Sequence, residues 1–184
     1  MCNVTLPQAK QIQLGIYKRL MALAQQNKTR KTRRVDLEAG LARVSGLQVK
    51  VYEVPQQELN GILPDGTPVQ ANAFPAKRYG RYVVFLADRI LRDSGWPAAL
   101  AGDLEKRFVV LHEYRHILEK DVFEDNPELA FNRRCGLDPN YSKKDVEDRA
   151  DGYAAHRMIC EAARNAALVT GLQGFIKKRG LPNP

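Results

Sequence analysis

The sequence predicts a single α+β domain: an N-terminal helix, a small mixed or antiparallel sheet, and two or more long helices closing the chain. Three observations lead there. Apolar residues recur at helical spacing from Ile12 to Leu23 and again from Leu104 to Leu118. Between these stretches the period changes to alternation at Leu47, Val49 and Val51. A further helix start follows at Ser142.

Taken in order, Thr5-Leu6-Pro7-Gln8 opens the first helix, with Thr5 as N-cap and Gln8 reaching back as its box partner. Ile12, Ile16, Leu20 and Leu23 give that helix an apolar stripe as far as Gln26. A short helix from Asp36 carries Leu37, Leu41 and Val44 until Gly46 stops it. Leu47, Val49 and Val51 alternate with Gln48, Lys50 and Tyr52 in a half-buried strand ended by Pro55. Leu63-Pro64-Asp65-Gly66-Thr67-Pro68 is dense in turn formers and joins two short strands. Arg81 to Leu86, rich in Val, Tyr and Phe, is a stronger strand, and Ser94-Gly95-Trp96-Pro97 breaks the chain again. A helix from Asp103 carries Leu104, Phe108, Leu111 and Leu118. Asp121 to Tyr141, with Pro127, Gly136 and Pro139, reads as an irregular crossover with one turn of helix. Ser142 and Asp145 open the next helix, which runs to Arg164; a last helical stretch reaches Lys178 and ends in Gly180-Leu181-Pro182. Residues 1–46 form a helical, basic N-terminal portion, and 47–184 form the core that carries the chemistry.

At 184 residues, 44% hydrophobic and 27% charged, the chain belongs with globular proteins having one ordinary core. The best apolar run, Leu14 to Ala24, is interrupted by Lys18 and Arg19, so it is an amphipathic helix and no membrane partner is expected. No secretory h-region is visible, and the expected location is the cytoplasm. Cys2, Cys135 and Cys160 lack any C-x-x-C pairing, so they are expected to be free thiols. The net charge of +8 is concentrated in Lys28, Arg30, Lys31, Arg33 and Arg34, with a second cluster at Lys177, Lys178 and Arg179. Such patches attract polyanions and make the first cluster a candidate nucleic-acid contact; the plain alternative is a solvated loop between helices. No aromatic residue interleaves it, so base stacking is not indicated.

His112-Glu113-Tyr114-Arg115-His116 uses two of the three histidines in an H-E-x-x-H pattern. Residues four apart on a helix lie about 400° around, so both imidazoles leave the same side and can grip Zn²⁺. Glu113 is placed between them as general base. A catalytic zinc needs a third protein ligand. Glu147 and Asp151 share a helical face four residues apart, flanked by small Ala150 and Ala154. His156 lies about 180° from Glu147 on the same helix and cannot face the same metal. Either Glu147 is the ligand, with Asp151 supporting an imidazole N–H, or His156 is the ligand and the acids are surface charges. The first is favoured because ligand and orienting residue fall on one apolar-flanked face.

Glu147-Asp148-Arg149-Ala150-Asp151 resembles the E-x-x-A-[DN] segment that follows H-E-x-x-H in gluzincin-type metallopeptidases. Arg107-Phe108-Val109-Val110-Leu111-His112-Glu113 is similar to the R-F-x-x-x-H-E stretch of the ImmA/IrrE family. Ala150-Asp151-Gly152-Tyr153-Ala154-Ala155 is likewise similar to its A-N-x-F-A-A segment. The resemblance implies a zincin-like fold, with H-E-x-x-H on an active-site helix and the third ligand on a following helix. It also implies a zinc metalloendopeptidase with ligands His112, His116 and Glu147 and with Glu113 as general base. Family members act on transcriptional repressors, so the implied partner is a protein or peptide substrate such as a DNA-binding repressor. Arg115 stands where the family's H-E-x-G-H has glycine, and the stretch from Leu86 to Asp103 is longer than the family's.

Peptide hydrolysis also requires a donor for the tetrahedral oxyanion, and Tyr141, Tyr153, His156 and Arg115 are the candidates. The strand at 81–86 is expected either to offer its edge to an extended peptide or to lie inside the sheet. The rival function is a non-catalytic, zinc-containing, basic DNA-associated regulator. A structural zinc usually has four protein ligands, often cysteines at short spacing, and none sits near these histidines.

Overall fold

The computed structural model describes residues 4–26, 47, 49–62 and 68–182. The helix expected from Asp36 and the basic cluster at 28–34 lie outside these residues. The described chain is mixed α+β, with five α-helices and a three-stranded mixed sheet accompanied by a two-stranded ribbon.

Helix α1 (Leu6–Gln26) starts as its sequence dictates: Thr5 N–H donates to Gln8 Oε1 at 2.7 Å. Its buried face departs from the expected stripe. Ile12 is exposed, whereas Ala9, Gln13, Leu20 and Ala24 are buried. Strand β1 (Val49–Val54) buries Val49 and Val51, runs on to Val54, and leaves Leu47 exposed. A 3₁₀ turn (Gln56–Leu59) leads to β2 (Gly61–Ile62), which pairs antiparallel with β3 (Pro68–Val69) as the turn-rich segment between them predicts.

Strand β4 (Ala73–Arg78) had no periodic signal, because Pro75 interrupts a segment without β-branched residues. It forms at an edge, where a missing N–H is tolerated, and a two-residue turn returns it into β5 (Arg81–Ala87). Tyr79 and Gly80 both take positive φ (50° and 75°), the geometry that suits strand twist in a tight hairpin. β5 lies between β1, to which it is parallel, and β4, to which it is antiparallel. The strand at 81–86 is therefore the inner strand and has no edge to offer a peptide. Its alternate residues feed two cores. Val84 and Leu86 face the later helices, while Val83, Phe85 and Ala87 meet Leu20 and Ala24 of α1. Burial on both faces explains why it was the strongest strand in the sequence.

Arg92 holds the long connection from β5, donating to the carbonyls of Leu100 and Pro97 and pairing with Glu105. The connection also delivers Trp96 onto Phe108, ring centroids 5.2 Å apart. Helix α2 (Asp103–Leu118) follows, buried through Phe108, Leu111, Tyr114 and Ile117. The expected single turn in the crossover is instead an eight-residue helix, α3 (Pro127–Arg134), with Asn126 capping Leu129 N at 3.1 Å and Pro127 at its first position. Helix α4 (Lys143–Glu161) is capped by Ser142, which accepts from Asp145 N. Helix α5 (Ala166–Arg179) ends on left-handed Gly180. No described helix is long and apolar enough to cross a membrane. Cys160 is a free, exposed thiol, but Cys135 is disulfide-bonded, contrary to the expectation of free thiols; sequence spacing carries no information on tertiary proximity.

Candidate metal centre

Helices α2 and α4 run antiparallel, pinned at both ends by ion pairs. Arg107 donates from Nη2 to Glu161 Oε1 at 2.7 Å, and Arg149 Nε lies 3.2 Å from Glu119 Oε1. Ala150 and Ala154 are fully buried on α4, and with no bulk beyond Cβ they let the two helices approach closely. His112 and His116 project from one side of α2 toward Glu147 and Asp151 on α4.

His112 Nδ1 lies 2.8 Å from Asp151 Oδ1, and its Nε2 lies 3.2 Å from both His116 Nε2 and Glu147 Oε2. His116 Nδ1 faces Asp121 Oδ2 at 3.5 Å. One ligand atom from each of His112, His116 and Glu147 falls within 4.8 Å of the other two. Carboxylates on both Nδ1 atoms favour the Nδ1–H tautomers, so the two Nε2 lone pairs point at each other. That arrangement is repulsive unless a cation or a proton lies between them. Zinc bonds of about 2.0–2.2 Å in tetrahedral geometry separate ligand atoms by about 3.3 Å. The observed 3.2 Å spacings fit that requirement.

Electrostatics follow from the burial. Burial opposes charge on His112, but hydrogen bonds to Asp151 and Glu147, with the nearby Glu113 charge, push its pKa up to about 10. His116 is raised likewise: burial works against it, and Asp121 and Glu113 prevail. Burial pushes the Glu113 carboxyl up, against the pull of both histidines. Burial would also raise Glu147, yet the His112 hydrogen bond and the charges of His112, His116 and Lys143 hold it below the usual carboxylate range. Glu147 is the open member, with its side chain 42% exposed against 15% for His112.

The structure separates the oxyanion candidates. Tyr141 sits close enough to Glu147 and Asp121 to feel their charge, and the Arg133 guanidinium lies 5.0 Å from its ring centroid. Tyr153 packs instead against Tyr114, ring centroids 6.5 Å apart, with the Arg115 guanidinium 5.6 Å from its ring. Tyr114 follows His112 by about 200° on the wheel, so this cluster occupies the far side of α2. His156 turns away as its spacing requires, and its Nε2 is buried without a partner. Arg115 also lies away from the histidine face. It pairs with Glu119 one turn on at the end of the same helix at 2.7 Å, and Glu119 also takes Arg149 from α4, so Glu119 is the carboxylate that links the two helices on their flank.

Sequence reasoning missed three contributors: Asp121, Arg133 and Arg179. Asp121 reaches His116 because α2 ends in a Schellman turn. Asp121 N–H donates to His116 O at 2.9 Å and Lys120 N–H to Ile117 O at 3.1 Å, with Lys120 left-handed at φ 55°. A glycine at position 120 would have signalled that turn; a lysine hides it. Arg133 Nη1 donates to Asp121 Oδ1 at 2.9 Å, and Arg179 Nη1 donates to Asp151 Oδ2 at 2.6 Å.

No protein-family model, curated protein or solved structure matches this chain.

Proposed function

We propose that this chain is a zinc-dependent metalloendopeptidase of gluzincin type with a zincin-like arrangement, similar to the ImmA/IrrE group. The supporting observation is the convergence of His112 Nε2, His116 Nε2 and Glu147 at zinc-ligand spacing, with His112 Nδ1 hydrogen-bonded to Asp151 and His116 Nδ1 facing Asp121 at 3.5 Å. When bound, zinc supplies Lewis acidity that acidifies a water molecule and polarises a carbonyl.

The remaining work falls to the chain. Glu113 accepts the proton of the attacking water and returns it to the leaving amine. Its pKa, raised by burial, suits a group that must both take and give a proton. Tyr141, close enough to Glu147 to feel its charge, is the candidate that supplies the oxyanion donor, and the exposed Glu147 marks the open side of the centre. The outer edge of β4 gives little to an extended substrate, since Pro75 has no N–H and Lys77 N–H faces Glu124 Oε2 at 3.4 Å. Side-chain contacts around the cleft therefore read the substrate, a regulatory protein such as a repressor.

The test is Glu113→Gln. It should retain zinc while hydrolysis of a peptide library falls by at least about 100-fold; unaltered turnover would place the base elsewhere.

A further inference from the structure

Each histidine of the centre is backed by a carboxylate, and each carboxylate is itself gripped by an arginine from a helix that carries no ligand. On one side Arg179, at the end of α5, donates to Asp151 Oδ2 at 2.6 Å while Asp151 Oδ1 meets His112. The same guanidinium donates to Asp148 Oδ1 at 2.9 Å, so its plane is fixed by two carboxylates three residues apart on one face of α4. On the other side Arg133, in the last turn of α3, donates to Asp121 Oδ1 at 2.9 Å while Asp121 Oδ2 meets His116. Its Nε lies 3.3 Å from Asp138 Oδ2, which fixes that guanidinium in the same manner.

Both arginines are held from behind. Arg179 lies 5.3 Å from the ring centroid of Phe175 on its own helix, and the chain beyond it is anchored by buried Leu181. Arg133 lies against Tyr141. The two carboxylates are mostly shielded, with side chains 11% (Asp151) and 15% (Asp121) exposed. A carboxylate with one oxygen committed to a fixed guanidinium cannot rotate freely, so its second oxygen holds one imidazole orientation.

We propose that Arg179 and Arg133 are positioning residues for the metal centre: through Asp151 and Asp121 they preset both imidazoles with Nε2 toward the metal before it binds. This rests on the reading of the centre as a zinc site. It assigns α5 and α3 a role in metal affinity although neither supplies a ligand.

The test is zinc affinity, measured by competition with a chromophoric chelator at fixed pH and salt. The variants are Arg179→Met, Arg133→Met and Arg179→Lys. Positioning predicts that each Met variant binds zinc about 10–100-fold more weakly than wild type. Arg179→Lys should fall between, because one ammonium cannot span Asp148 and Asp151 in the same fixed plane. A role through charge alone has the opposite sign, since deleting a cation beside a dication strengthens binding. Unchanged or tighter binding by the Met variants overturns the proposal while leaving the zinc centre intact. A wild type that takes up no zinc overturns both. Circular dichroism and the unfolding midpoint in chelator establish that each variant is folded. Should Arg179→Met fail to fold, Arg133→Met and Arg179→Lys decide the matter.

Discussion

His112 Nε2 and His116 Nε2 face each other at 3.2 Å, while each ring turns its Nδ1 toward an aspartate. In the metal-free protein a proton relieves this opposition, because His112 is pushed up to about 10 from its ordinary 6.5. A folded-state pKa above the unfolded value contributes stability that is fully present below pH 6.5 and is lost as pH rises through about 10. Glu113, raised by burial, acts with the same sign. Zinc-free protein should therefore lose stability across that interval, read as a falling urea midpoint. Zinc-loaded protein should lose less, because the metal takes the proton's place. A zinc-free midpoint that rises with pH would contradict the account.

Tyr114 is a different kind of buried polar group. It is fully buried, its hydroxyl has no partner, and burial pushes its pKa up to about 12. Tyr114→Phe removes an unsatisfied oxygen without adding volume, so it should be neutral or stabilise by up to about 1 kcal/mol. Chemical denaturation measures this. A loss of more than about 1 kcal/mol would mean the hydroxyl has a partner.

Gly152 is required by a close approach. A Cβ built there would lie 2.6 Å from Pro182 O, a backbone atom that cannot swing aside like a side-chain end. Gly152→Ala should destabilise the fold by about 1–3 kcal/mol. It should also loosen the segment beyond α5, seen as faster amide exchange near Leu181. Wild-type stability with unchanged exchange would refute this.

Much of the fold was legible because local chemistry and tertiary need agreed. The Thr5–Gln8 and Ser142–Asp145 caps, the doubly buried β5 and the H-E-x-x-H helix all carry their signals within a few residues. What was hidden depends on context. β4 contains a proline that only an edge tolerates, and α3 begins at an Asn126-Pro127 step that also reads as a turn. At the site, Glu147 and Asp151 could be found by helical spacing. Asp121 could not, since it depends on a left-handed lysine at 120. Arg179 could not either, since it arrives from a helix packed alongside and looked like one cation in a basic cluster.

On the proposed reading His112, His116 and Glu147 together hold one zinc ion. Metal analysis after zinc loading and gel filtration tests it most directly, on wild type beside Glu147→Ala and His156→Ala. Wild type and His156→Ala should each carry about one zinc per chain, and Glu147→Ala should show a clear loss. A wild type that retains no zinc would rule out the zinc centre, and a His156→Ala that loses zinc while Glu147→Ala keeps it would make His156 the third ligand.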